Sequence, residues 1–183
     1  MKRSLCISLF IATGLFFTGC GSKGMSEASK SAMKTFETNW KAAGEAMNAW
    51  GSTMNTTMAS MEKMMHDSMP MDSTMDMKKM TAEQIKMHSD MDAQCTNIMG
   101  EMESMKKMFA SAQETWAADE AAYTEWKKKA MEEKADDAAV TTAMAEWNSK
   151  LTKHTDDVAA WSKSLTSLNE QCTKVCGMEM EAY

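Results

Sequence analysis

Residues 33–54 read MKTFETNWKAAGEAMNAWGSTM. Met33, Phe36, Trp40, Ala43, Met47, Trp50 and Met54 recur at alternating steps of three and four, with Lys, Glu, Asn and Thr between them. That spacing puts every large apolar side chain on one narrow stripe of an α-helix. The stripe continues through Thr57, Met61 and Met64. A second runs Ile85, His88, Met91, Cys95, Ile98, Met102, Met105, Phe109, Ala112 and Trp116, then more loosely through Tyr123, Trp126 and Ala130. A third runs Val140, Met144, Trp147, Leu151, His154, Val158, Trp161, Leu165, Leu168, Cys172 and Val175. Three heptad-like seams predict coiled-coil-like packing.

The interruptions set the boundaries. Residues 66–80 contain Pro70 and several Asp and Ser, and carry no regular stripe. Thr81 with Gln84 has the spacing of a capping box. The stripe becomes charged near 133–137, where Asp136 or Asp137 can cap a new helix, and Gly177 can end it. Helices are therefore expected over 26–66, 81–133 and 137–176. The short connection near 135 makes the second and third antiparallel. The expected fold class is all-α, an elongated up-down-up three-helix bundle; a break near Gly100 would give four shorter helices. One Pro and eight Gly in 183 residues leave too few turn formers for a β-sandwich.

Centring the second turn at 133–136 puts Cys95 opposite residues 171–177. A disulfide from Cys95 to Cys172, or alternatively Cys176, is geometrically accessible. The first hairpin, centred near 74, puts Met54 level with Cys95. Residues 66–80 then cap the pole that holds the three cysteines. His154, between Leu151 and Val158, reads as a partnered core histidine. The Trp residues fall mostly on stripes and read as core. Lys127, Lys128 and Lys129 read as solvated helix surface.

The N-terminus reads MKRSLCISLFIATGLFFTGC. Lys2 and Arg3 precede a short apolar run, Leu5 to Phe17, which ends in Thr18-Gly19-Cys20. This resembles the signal peptide and lipobox of bacterial lipoproteins. The resemblance implies cleavage after residue 19 and lipidation of Cys20. It also implies a membrane anchor through the lipid and a cell-envelope location, with the outer membrane facing the periplasm favoured by Gly21 in a Gram-negative cell. Residues 20–25 become a tether, 26–177 the bundle with its loop at 66–80, and 178–183 a tail.

The chain has 24 Met, against the few per cent of residues usual in proteins. The 31 residues from Met61 to Met91 hold ten Met and two of the three His. Thioethers select soft Cu(I) or Ag(I) over hard cations. The candidate ligands are Met61, Met64, Met65, His66, Met69, Met71, Met75, Met77, Met80, Met87, His88 and Met91. The mixture of Met, His, Asp and Ser resembles Met/His-rich segments of periplasmic copper-resistance proteins, a likeness of composition that implies metal binding but no fold. Met residues on stripes are most simply core, and a Met-rich end can also dock a protein partner or scavenge oxidants. Two functions therefore stand open: soft-metal binding for sequestration or handover, and a tethered rod that meets an envelope protein.

Other classes have little support. Acidic residues outnumber basic ones 26 to 20 and the one Arg is Arg3, which disfavours nucleic-acid binding. No phosphate loop, H-E-x-x-H, C-x-x-C or nucleophile elbow is present, and a narrow bundle offers little room for a substrate pocket, so no enzyme activity is expected.

Overall fold

Thr81 opens its helix as the sequence predicts. Its side chain accepts from the Gln84 backbone N–H at 3.2 Å, and Gln84 Oε1 accepts from the Thr81 N–H at 2.9 Å. In the computed structural model, which describes residues 24–68 and 81–177, three helices pack into an all-α bundle: α1 Glu27–Ser68, α2 Ala82–Glu132 and α3 Asp137–Gly177. Among the described residues no helix is long and apolar enough to cross a membrane.

The α2–α3 turn is fixed by backbone geometry. Lys134 takes φ 52°, and the Ala135 N–H reaches back to the Ala130 carbonyl at 3.0 Å. This is the bond of a helix C-cap that places one left-handed residue beyond the last turn. Asp136 then caps α3 by accepting from the Ala139 N–H at 2.8 Å. Its neighbour Asp137 ties α3 to α1: Oδ1 accepts from the Ser26 N–H at 2.8 Å and from the Ser29 hydroxyl at 2.6 Å. These bonds hold the Asp137 carboxyl below the usual carboxylate range.

The starts of α1 and α3 thus meet, and the two helices run parallel. Their register is constant. Ser26 meets Asp137 and Met61 meets Cys172, both with a numerical offset of 111. α2 is antiparallel to both. It pairs with α1 at numbers summing to about 160 (Phe36 with Tyr123, Trp50 with Phe109) and with α3 at about 270 (Tyr123 with Trp147, Trp116 with His154). α1 lies chiefly against α3. α2 reaches α1 across bulky rings: Trp40 stacks on Trp116 at 4.1 Å between centroids, and Trp50 meets Phe109 at 5.1 Å. Gly51 makes room for this, because a Cβ there would stand 2.5 Å from Phe109 Cζ.

Among the described residues α2 continues through Gly100 without a break, so the expected three-helix bundle holds and its four-helix alternative does not. Two expectations are corrected. Beyond Met54 the buried α1 residues are Met58, Met61 and Met65, not Thr57 and Met64, which lie half-buried beside the core. The α-helix drifts from a strict heptad, and here the drift brings apolar Met58 inward in place of a hydroxyl. The first hairpin is also centred near 80 rather than 74, so Cys95 is level with Met65 and not Met54. α2 has 51 residues against 42 in α1 and 41 in α3. The helices are flush at the α2–α3 turn, so the excess extends α2 about 14 Å past its partners at the other end, at 1.5 Å per residue.

Candidate metal-binding pole

The register lays out the core at that stepped end as layers. Met65, Cys95 and Cys176 share a level, one from each helix. Met61, Ile98 and Cys172 form the next, followed by Met58, Met102 and Leu168. All nine side chains are buried in one continuous apolar cluster. Met91 is also buried there, and Met64 and Met87 pack against it half-buried.

All three cysteines are buried, and Cys176 is the α3 cysteine level with Cys95. Cys172 Sγ lies 4.0 Å from Cys176 Sγ and points at the Met61 carbonyl at 3.7 Å. Burial pushes the Cys172 thiol up to about 12, and the neighbouring Cys176 and Cys95 add to the effect. A thiol in such surroundings stays protonated and unreactive until something replaces its proton.

The predicted ligands divide by placement. Met61, Met65 and Met91 join the core; Met64, Met87 and His88 are half-buried at its edge. His66 is exposed near the end of α1, with Nδ1 3.6 Å from Asp67 Oδ1. Met69, Met71, Met75, Met77 and Met80 lie outside the described residues, as do Cys20, the signal segment and the 178–183 tail. Among the described residues no three His, Cys, Asp or Glu side chains already stand as a ligand set. The thioethers are thus the most numerous soft donors at this end.

His154 belongs to different chemistry. It is buried in α3, with Nε2 3.1 Å from Asp119 Oδ2, and Lys150 meets the other carboxylate oxygen at 2.5 Å. Burial alone would raise the Asp119 carboxyl, but hydrogen bonds from Lys150 and His154 outweigh it and hold the group low. The rings of Trp40 and Trp116 lie edge-on to the imidazole. This is a satisfied core histidine, as its stripe position suggests. Sequence reasoning did not find its partner, because Asp119 is off the α2 stripe. The α2–α3 register sum would have brought the two together.

A shallow groove between α1 and α2, lined by Glu37, Trp40, Gly44, Trp116 and Tyr123, lies far from the sulfur layers. Glu37 is paired there with Lys127, and the Tyr123 hydroxyl donates to it at 3.3 Å. The chain matches no protein-family model, no curated protein and no solved structure.

Proposed function

We propose that this chain is a lipid-anchored envelope protein that binds Cu(I) or Ag(I) at its methionine pole, for sequestration or handover. One observation carries the reading: ten Met fall within residues 61–91, about the end where α2 outruns its partners. Core packing accounts for Met61, Met65 and Met91. The repeated Met between 69 and 80 are set among Asp, Ser, Thr and Pro with no helical stripe in the sequence. Soft-ion capture gives them a role, because several neutral thioethers can close on one monovalent ion without titrating.

The polarity of the rod supports the same reading. α1 begins at the α2–α3 turn, tied there by Asp137. An anchor at Cys20 therefore puts the membrane beside that turn and the methionine pole at the far end. A Cys20→Ser variant is expected to lose its acyl mass and leave the membrane fraction.

The test of metal binding is Cu(I) titration against a strong competing chelator. The full chain is compared with a variant carrying Leu at positions 69, 71, 75 and 77. The Leu variant should retain its helicity and bind at least tenfold more weakly. Equal binding by both would remove the loop from the site. The alternative is a rod that docks an envelope protein, and half-exposed Ile85, Met99 and Met108 on α2 favour it. That reading predicts no Cu(I) retention against the chelator by either form.

A further inference from the structure

We infer that Cys95, Cys172 and Cys176, with the Met65 thioether at their level, form a buried second site for one Cu(I) ion at the end of the bundle where α2 outruns its partners. The inference rests on the soft-metal reading and adds a site of different chemistry to it. Three observations carry it. Each helix contributes a sulfur to the Met65–Cys95–Cys176 layer, and Cys172 lies one turn below on α3. The Cys172 and Cys176 sulfurs are 4.0 Å apart; with metal–sulfur bonds of roughly 2.3 Å they subtend an angle of about 120°. That is the angle of a three-coordinate centre, and Cys95, buried at the level of Cys176 in the same cluster, supplies the third sulfur from α2.

The placement also gives a route of entry. Cys172 is fully buried, whereas Cys176 is 8% exposed and precedes the last residue of α3 by one position. Helix ends open most readily, so the outer thiol is reached first. Because the three thiols are not already gathered as a ligand set, Cys95 is drawn in as the ion arrives.

The chemistry is redox-neutral. At each thiol that binds as thiolate, the S–H bond breaks, sulfur keeps the electron pair and donates it to Cu(I), and the proton passes to water. In the metal-free protein burial shields the Cys172 and Cys95 sulfurs from oxidants in solvent, which keeps the site available. A disulfide at Cys95 is the competing fate of the same atoms, formed by two-electron oxidation, and would abolish the site.

The experiment uses the full reduced chain and Cu(I) buffered by a competing chelator. It has two readouts: ultraviolet thiolate-to-Cu(I) charge transfer, to which thioethers do not contribute, and alkylation of each cysteine in the folded protein. The unmodified chain should develop the band, and Cu(I) should slow labelling of Cys176 at least tenfold. The variant with Leu at positions 69, 71, 75 and 77 should keep the band while losing its other bound copper. Cys172→Ser with Cys176→Ser, or the Ala pair if Ser unfolds the pole, should lose the band and one equivalent of copper. No band, and identical labelling with and without Cu(I), would overturn the inference while copper held by the loop left the broader reading standing. Chelator removing all copper from the unmodified chain would defeat both. Recovery of Cys95 in a disulfide from native envelope would also overturn the second site.

Discussion

From Met33 to Trp50 on α1, and against it from Trp116 to Tyr123 and from Val140 to Leu151, the core is built largely of rings. From Met54 to Met65 and its partners it is built largely of sulfur. In the first region Phe36 packs on Trp40 and Tyr123, Trp147 stands edge-on to Tyr123, and Trp40 stacks on Trp116. Rings impose direction and distance on their neighbours. Met side chains impose neither, since three rotatable bonds let them fill whatever gap the backbone leaves. The same helical stripe thus runs through both halves, one locked by shape and the other tolerant of shape. The proposed ion site would draw on the second kind of packing, and the fixed register of the helices draws on the first.

The contrast can be broken most directly by truncation. Phe36 is 1% exposed at the centre of the ring cluster, and Phe36→Ala should cost about 3–5 kcal/mol in urea unfolding. Met58 is equally buried in the sulfur half, yet Met58→Ala should cost only about 2–3 kcal/mol, because flexible Met neighbours can close on the space left. Similar costs for the two would show that the sulfur half is packed as tightly as the ring half.

The ring half also carries the polar group of Asp119, Lys150 and His154. Asp119→Ala strips buried His154 of its partner and should cost about 1–3 kcal/mol. Because its folded carboxyl is held below the unfolded value of about 3.9, Asp119 contributes stability that is present above that value. The contribution is lost as pH falls below 4 and through the folded pKa. Acid titration of stability should show this loss in the unmodified chain and not in Asp119→Ala.

Glycines sharpen the comparison at smaller effect. Gly51→Ala drives a Cβ into Phe109 and should cost about 1–2 kcal/mol despite the better helix former. Gly100, on the outer face of α2, has no atom near its virtual Cβ, so Gly100→Ala should gain about 0.5–1 kcal/mol. Thermal unfolding of the two variants should move in opposite directions.

The helices were legible because each end has a local cause. Thr81 and Gln84 reciprocate, Asp136 caps, and the stripes are long enough to outweigh propensity. The register of the first hairpin was not legible. Symmetry about the break at 66–80 placed its centre near 74, whereas α2 extends beyond α1 and α3. The choice between Met64 and Met65 was equally hidden, since Met stands at 58, 61, 64 and 65 and both three-four and four-three steps read as apolar. The thiol layer becomes visible only once the offset of 111 is known. Nothing local to Met65 or Cys176 announces that they share a level.

That offset also governs how the molecule is assembled in time. α1 rests mainly on α3, so its native partner lies about 111 residues away, while α2 and α3 are joined by a four-residue turn. Closing a long loop before its contacts form slows the search. The α2–α3 hairpin is therefore expected to gain protection first and α1 to dock last, an order that pulse-labelled hydrogen exchange during refolding can read. On the ribosome, Cys172 and Cys176 each emerge 111 residues after the α1 methionine they meet, Met61 and Met65, and a chain stalled before residue 172 would present those methionines and Cys95 without the two α3 thiols.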